Sequence, residues 1–333
     1  MNKRIYDKLK ELNNNLRIKE NKKINREKLR QIISRKVGDF ISLDNKISIP
    51  IRYKKAGIMG VDGSINTYGG NFPYEVTFFR GLAKNTKLNK NKKNTVILED
   101  VFTPFYPKHR AIIDKMLTDE NGKEIMTLEN ALYKYKKDRL TELELLTAIE
   151  GIYQYEPSLI IMDGGFYRFD INTPDLWKEL QQLCIKKNVL IVGVIEEVST
   201  HKIAQFIKED IPYFNKSYDR EVLFGLLNPN EWLKVKSDIE IKKGYYTAFG
   251  RFSNHPQATG LDFLKEQIDY VEEIVEIIKG LTPVKSRGIP VWLDIVDREV
   301  RITRKELEVY INNCFDRDII EKFLIPNSNR RQY

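Results

Sequence analysis

Two aspartates that each close an apolar stretch are the residues best suited to do chemistry. Asp62 follows Gly-Ile-Met-Gly-Val at 57–61, Asp163 follows Ser-Leu-Ile-Ile-Met at 158–162, and a glycine comes after each aspartate. Short apolar runs bounded by glycine indicate buried strands, so both carboxylates are expected at strand ends. Acids on neighbouring strands could hold a divalent metal for chemistry on phosphates. An ordinary turn is the alternative for each Asp-Gly pair, because that dipeptide is common in turns.

A long helix predicted over residues 127–155 offers a third acid. At about 100° per residue, five positions form one apolar face: Leu145, Leu146, Ile149, Ile152 and Tyr153. Glu142 falls near the centre of that face, whereas Glu144 points almost opposite, towards solvent. Because a buried glutamate needs a cation, Glu142 is predicted to share a metal with the two aspartates. A buried ion pair, with Arg139 for example, is the alternative, and Glu150 is a weaker substitute.

The last predicted helix begins near Leu293 and supplies a fourth acid. Its inward stripe is formed by Leu293, Val296 and Val300. Asp297 flanks this stripe more closely than Asp294 does, so Asp297 is the stronger candidate for a site that faces the sheet.

The elements that must position these acids indicate an α/β fold. Apolar periodicity predicts three strands, then helix, strand, helix and strand. The strands are predicted to end at Asp62, to span 74–81, 95–102 and 158–163, and to span 189–195 and 245–252. Further helices are expected at 1–36, at 175–187, near 200 and at 261–278. Residues 1–50 are predicted to form a basic helical arm, and residues 51–333 a single catalytic domain in which 210–245 is an insertion.

The amino-acid composition indicates a folded protein that binds a polyanion. The 333 residues carry a net charge of +9, with 41% hydrophobic and 11% aromatic residues, which is typical of a folded protein with a polyanionic partner. Lysines and arginines concentrate in 1–55 and in 84–93. The chain has two cysteines, too few for a disulfide framework, so a reducing cytoplasm is expected. Coding bias towards Lys, Asn and Ile is the alternative origin of the charge.

The order of these elements and acids resembles the ribonuclease H-like nucleases, and more narrowly the NurA family. The matching segments are Gly-Val-Asp-Gly-Ser at 60–64, Arg139 with Glu142, Leu-Ile-Ile-Met-Asp-Gly at 159–164, Val-Gly-Val at 192–194, Gly-Ile-Pro-Val-Trp-Leu at 288–293, Asp297, and Arg-Ile at 301–302. The resemblance runs from about residue 50 to 310. It implies a mixed sheet of three antiparallel strands followed by parallel strands, flanked by helices.

The resemblance also implies a site and an activity. Asp62, Glu142, Asp163 and Asp297 would be catalytic metal ligands for Mn²⁺ or Mg²⁺. The chain departs from the family pattern with Gly165 where Ser is usual, with Glu196 and Glu197 where a Lys often follows the strand, and with Asp where the family more often has His at 297. Lys202 is the nearest substitute for that lysine.

The function implied is a DNA nuclease, with 5′–3′ exonuclease and single-strand endonuclease activity in the resection of DNA breaks. A HerA-like hexameric ATPase would be its partner, and the nuclease would be a homodimer. Aromatic side chains could stack on bases of a single strand: Phe72, Tyr74, Tyr106 and Phe166. Two alternatives stay open: a non-catalytic DNA-binding subunit of a translocase, and a ribonuclease H-like nuclease of phage defence.

Overall fold

A mixed β-sheet organises the described residues, which are 3–20, 25–44 and 48–325 of a computed structural model. Its strands are β1 (Gly38–Ser42), β2 (Ile58–Asn71), β3 (Tyr74–Asn85), β4 (Thr95–Phe102), β5 (Leu159–Asp163), β6 (Leu190–Ile195), β7 (Glu231–Val235), β8 (Tyr245–Arg251) and β9 (Thr259–Leu264). Their spatial order is β1-β7-β8-β9-β6-β5-β2-β3-β4. The sheet therefore joins chain segments that lie far apart in sequence.

The half of the sheet that carries the candidate acids contains both strand directions. Strands β2, β3 and β4 pair antiparallel, whereas β5 pairs parallel to β2 and β6 pairs parallel to β5. Residues 159–162 and 190–194 are buried throughout, as expected for parallel strands covered on both faces. The predicted α/β class and the order of three antiparallel strands followed by parallel strands are confirmed.

Helices cover both faces of the sheet. They are α1 (Lys3–Glu20), α2 (Arg26–Lys36), α3 (Ile51–Ala56), α4 (Pro107–Leu117), α5 (Leu128–Tyr155), α6 (Tyr167–Asn172), α7 (Pro174–Lys187), α8 (Lys202–Ile207), α9 (Asp219–Leu223), α10 (Val271–Leu281), α11 (Val291–Val300), α12 (Arg304–Cys314) and α13 (Arg317–Ile319). Short 3₁₀ segments occupy Pro212–Phe214 and Lys265–Tyr270, and a π-helical turn occupies Ile320–Leu324. Across the three described segments, no helix is both long enough and apolar enough to cross a bilayer.

Two apolar layers lie on opposite faces of the sheet. Helices α5 and α7 pack on one face through a buried cluster that includes Met59, Val61 and Met162. Helices α2, α8 and α10 and the start of α11 pack on the other face, with Ile58 and Ile161. Side chains alternate between the faces along each strand, so this division fixes the direction of every side chain near the candidate acids.

The structure differs from the sequence predictions at the first long strand and in the last third of the chain. The strand predicted to end at Asp62 continues as β2 to Asn71, because β2 goes on pairing with β3 after its parallel ladder with β5 ends at Val61. The helix expected at 261–278 is wrong: the first residues form β9, buried between β6 and β8, and α10 begins only at Val271. A short apolar run fits a buried strand and a helix equally well. Within residues 1–50, β1 pairs with β7, and β7 comes from within 210–245. The division of the chain at residue 50 and the insertion at 210–245 stay predictions.

Candidate functional site

Asp62 and Asp163 lie side by side where the parallel ladder of β2 and β5 ends. The last pair of that ladder is Val61 with Met162, and the two aspartates are the next residue on each strand. Asp62 is only 8% exposed, and its Oδ1 accepts a 2.7 Å hydrogen bond from the backbone N–H of Gly63. The adjacent register puts two carboxylates next to each other where β5 ends and β2 continues.

Both aspartates point to the face of the sheet that α11 covers. Side-chain alternation puts Asp62 on the same side as Gly60, where an added Cβ would lie 2.9 Å from Val296 Cγ2 and 3.0 Å from Trp292. Asp163 likewise shares a face with Ile161, which packs in the same layer as the start of α11. Glycine at 60 thus allows α11 to approach β2 closely enough to border the two carboxylates.

The third acid at this position is Glu144, not Glu142. Glu144 is 2% exposed, whereas the side chain of Glu142 is 41% exposed and pairs with Arg139 at 2.6 Å. The predicted burial of Glu142 is therefore wrong. Three small residues of α5 are buried and lie three, four and seven positions from Glu144, on the same side of the helix: Thr141, Ala148 and Gly151. A helical wheel built on large apolar side chains alone therefore misplaces the buried face of α5.

Glu144 reaches the acid pair from the opposite face of the sheet. Arg168 Nη1 donates to Glu144 Oε1 at 3.1 Å, and Arg168 Nη2 lies 2.6 Å from Glu144 Oε2. The same Nη2 donates to the backbone oxygen of Asp163 at 2.6 Å. A Cβ on Gly63 would lie 2.6 Å from Glu144 Oε1, so only glycine at 63 leaves space for this carboxylate beside Asp62.

Asp297 on α11 borders the same cluster from the solvent side. Its side chain is 45% exposed and pairs with Arg301 at 2.9 Å, one helical turn away. Its charge raises the pKa of both Asp62 and Asp163, which places it near them. Asp294 instead pairs with Arg287 at 2.7 Å, and Arg287 also holds Glu196 at 2.7 Å. Asp297 is thus the acid of α11 whose charge reaches Asp62.

Burial and mutual repulsion make these carboxylates weak acids. Burial, then the charges of Asp163, Glu144 and Asp297, raise the pKa of Asp62 to about 7. Burial also raises the pKa of Glu144 and of Asp163, although the positive charge of Arg168 opposes both shifts. Groups whose pKa values shift through burial and like charge at one position are typical of functional sites.

The donor set suits a hard divalent cation. No three His, Cys, Asp or Glu side chains among the described residues converge as a ready ligand group. Glu144 Oε2 is nevertheless buried without a well-aligned hydrogen-bond donor, since its contact with Arg168 is an ion pair outside hydrogen-bond geometry. A buried carboxylate oxygen in this state, with two aspartates beside it, matches the oxygen ligands that Mg²⁺ and Mn²⁺ prefer.

Comparison with known proteins decides the family. The model of the NurA domain matches residues 56–302, a span that contains β2 through α11 and all the acids described above. The chain belongs to the NurA family. The crystal structure of the NurA nuclease from Sulfolobus solfataricus aligns with a TM-score of 0.55 and 17% identity, covering 94% of this chain and 96% of that chain. This likeness supports the shared fold.

Other comparisons add little to the NurA assignment. The crystal structure of Kluyveromyces polysporus Argonaute with a guide RNA aligns with a TM-score of 0.30 and 11% identity, covering 73% of this chain and 26% of that chain, too weakly to carry an argument. No curated protein matches the sequence.

The predicted base-stacking residues have different environments. Phe166 is fully buried against Trp177, so it belongs to the core. Tyr74 and Tyr106 are 40% and 43% exposed, and the Arg110 guanidinium lies 5.0 Å from the Phe72 ring. Stacking on bases stays a prediction for the exposed aromatics.

Proposed function

We propose that this chain is a metal-dependent nuclease that hydrolyses phosphodiester bonds of DNA. The observation that carries the proposal is the adjacent pair Asp62 and Asp163 with buried Glu144 against it, in a chain of the NurA family. Two buried carboxylates, Asp62 and Glu144, with a half-buried third at Asp163, are costly for a fold to keep without a cation. A metal-binding role explains why they are there.

Different residues of the chain would bind the metal and balance the charge of the site. Asp62, Asp163 and Glu144 would hold Mn²⁺ or Mg²⁺, and Asp297 would be a further ligand or an orienting group. A divalent ion bound there supplies a water of lowered pKa and neutralises charge on the phosphate. Arg168 holds Glu144 in place and balances its charge before the site is loaded. Arg287, whose positive charge lowers the pKa of Asp163, keeps that carboxylate closer to the ionised form that ligands require.

The proposed type of cleavage and the proposed partner rest on membership of the NurA family. We propose single-strand endonuclease and 5′–3′ exonuclease activity in the resection of DNA breaks, with a HerA-like hexameric ATPase as partner and a homodimer as the working form. Support for a nucleic-acid substrate is the net charge of +9, which favours polyanions.

Cleavage of labelled single-stranded DNA with Mn²⁺ tests the function. The wild type is compared with Asp62→Ala and Asp163→Ala, with Glu142→Gln as the matched acid variant outside the cluster. We expect cleavage by the wild type and by Glu142→Gln, and a loss of at least about 100-fold in the two aspartate variants. Undiminished cleavage by both Asp62→Ala and Asp163→Ala would refute the assignment of the site. An inactive wild type that stimulates a partner ATPase would instead indicate a non-catalytic DNA-binding subunit.

A further inference from the structure

A basic cleft opens next to the acid cluster, at the carboxyl ends of β5 and β6. It has a volume of about 590 Å³, and four cations line it: Arg168, Lys202, Lys242 and Lys243. Its remaining lining residues include Gly165, Ile195 and His201, and no Asp or Glu of the described chain is among them. Clefts outside the carboxyl ends of strands are where ligands bind to sheets of this kind.

Two of these cations, Lys242 and Arg168, are each held by a buried carboxylate. Lys242 Nζ lies 2.7 Å from Oδ2 of Asp262, a carboxylate that is fully buried and also accepts from Thr247 and from the backbone N–H of Phe166. Arg168 is held in the same way by Glu144. Since each counter-ion is buried while the cleft side carries no acid, both cations can face an incoming anion without rearrangement.

Gly165 makes this arrangement possible. A Cβ at this position would lie 2.7 Å from Lys242 Nζ and 2.7 Å from Asp262 Oδ2. Any side chain at 165 would push the ammonium group away from the backbone that follows Asp163. The missing side chain at 165 therefore leaves room for a positive charge at the floor of the cleft.

The other two cations lie at the rim. Lys202 at the start of α8 and Lys243 in the loop before β8 are both exposed, and neither forms an ion pair within the described segments. Exposed ammonium groups on flexible stems are suited to contact phosphate as point charges. Two cations held by buried carboxylates and two exposed cations around one cleft form a site for an anion with several oxygens.

We propose that this cleft binds a phosphate group of the nucleic-acid strand, next to the phosphodiester that is cut. The inference rests on the proposed function, because Arg168 joins the cleft to the acid cluster: it contacts Glu144 and the backbone oxygen of Asp163 at the same time. The phosphate can be the terminal monoester of a 5′ end or an internal diester. The shared chemistry is charge-assisted hydrogen bonding to phosphate oxygens.

Binding without metal separates this site from catalysis. Fluorescence anisotropy in EDTA gives the affinity of the full chain for single-stranded oligonucleotides with a 5′-phosphate or a 5′-hydroxyl. The variant K202Q/K243Q is compared with K178Q/K186Q, which removes two exposed lysines from α7 on the opposite face of the sheet. We expect the cleft variant to bind about 10-fold more weakly and to lower the slope of log affinity against log salt by about 1–2. The control variant should lose less than about 2-fold.

The two oligonucleotides identify the source of the phosphate. A wild-type preference for the 5′-phosphate that disappears in K202Q/K243Q assigns a terminal monoester, whereas equal losses on both oligonucleotides assign an internal diester. Equal affinity of the cleft variant and the wild type, or equal losses in both variants, overturns the proposal while cleavage by the wild type leaves the nuclease function intact. A wild type that neither cuts nor binds either strand removes the proposed function and the subsite together.

Discussion

Arg168 and Glu144 form an ion pair whose positive member also contacts the backbone of Asp163. Nη2 of Arg168 lies 2.6 Å from Glu144 Oε2 and 2.6 Å from the Asp163 carbonyl oxygen. Glu144 is 2% exposed, so Arg168 is the cation that compensates its burial in the described structure. A metal ion bound at the carboxylates would compete with Arg168 for the negative charge of Glu144. This relationship makes the pair a sensitive probe of the site.

Removing the positive member should destabilise the metal-free protein and increase its response to metal. In Arg168→Met, Glu144 is left buried and unpaired, which costs about 3–5 kcal/mol in the free energy of unfolding. Thermal unfolding in EDTA and with Mn²⁺ measures both effects. We expect a lower midpoint in EDTA and a larger rise on adding Mn²⁺ than in the wild type. The double variant E144Q/R168M should regain part of the loss, and a single variant with wild-type stability would contradict the pairing.

Two glutamates that lie two residues apart on α5, and therefore point in nearly opposite directions, should behave differently. Glu144→Gln removes a buried carboxylate of the cluster, whereas Glu142→Gln removes one that is 41% exposed and pairs with Arg139. We expect Mn²⁺-dependent cleavage to fall at least about 100-fold in the first and to change less than about 2-fold in the second. Initial rates on single-stranded DNA measure the difference. The reverse ranking would restore Glu142 to the site.

The metal-free protein should lose stability as pH rises towards neutrality. The pKa of Asp62 is raised to about 7 in the folded state by burial and neighbouring carboxylates, against roughly 4 in an unfolded chain. The folded state therefore binds more protons between these values, and this stabilisation, complete below about pH 4, disappears as pH rises through about 7.

Thermal unfolding in EDTA at pH 5.5 and pH 7.5 checks the sign. The wild type should lose more stability over this interval than Asp62→Asn, because the variant lacks the ionisable group. The raised pKa values of Asp163 and Glu144 act in the same direction. Parallel pH dependences in the two proteins would refute the role given to Asp62.

Substituting Gly63, the residue after Asp62, with alanine should weaken metal binding. The Cβ of Gly63→Ala would lie 2.6 Å from Glu144 Oε1, so the carboxylate must move. We expect Mn²⁺ affinity measured by calorimetry to fall at least about 10-fold, the scale of a disturbed ligand environment. Gly260→Ala is the control, since its Cβ would meet only side chains of Val198 and Ile195, at 3.2 Å or more. Equal affinities in the two variants would argue against Glu144 as a ligand.

A buried hydroxyl should stabilise the layer behind the cleft. The Tyr245 hydroxyl accepts from Trp177 Nε1 at 2.6 Å and donates to Asp170. Tyr245→Phe leaves the buried indole N–H without an acceptor and should cost about 1–3 kcal/mol. Urea unfolding measures the change, and Tyr153→Phe, at a side chain that is 61% exposed, is the control. A cost below that of the control would show that the indole finds another acceptor.

The positions of Asp62 and Asp163 could be predicted from the sequence, but that of Glu144 could not. A continuous apolar run before Asp-Gly is a local signal of a buried strand, and the parallel pairing of β2 with β5 places the two aspartates directly after the last paired residues. The buried face of α5 depends on how closely the helix approaches the sheet. Gly81 allows that approach, because a Cβ there would lie 2.5 Å from Thr147 Oγ1. This is a property of β3 and α5 together, which neither segment reveals alone.

The edge strand β1 also escapes prediction from local pattern, whereas the pattern at 95–102 predicts the other edge strand, β4. β1 has five residues and pairs with β7, which lies far along the chain. Five residues give too little alternation to distinguish a strand from a loop, and long-range pairing supplies the missing information. The basic cleft has the same origin, because its cations come from three separate segments that only the sheet brings together.

The glycines at 60 and 63 of β2 open on opposite faces of the sheet, towards α11 and α5. The acid cluster therefore draws Asp62 and Asp163 from one layer of the protein and Glu144 from the other. Separation of either helical layer from the sheet would dismantle the cluster, even if the strand carrying Asp62 kept its pairing. Cation affinity consequently reports on the docking of both layers at once, and a fragment that preserved only one of them should bind metal no better than an isolated carboxylate.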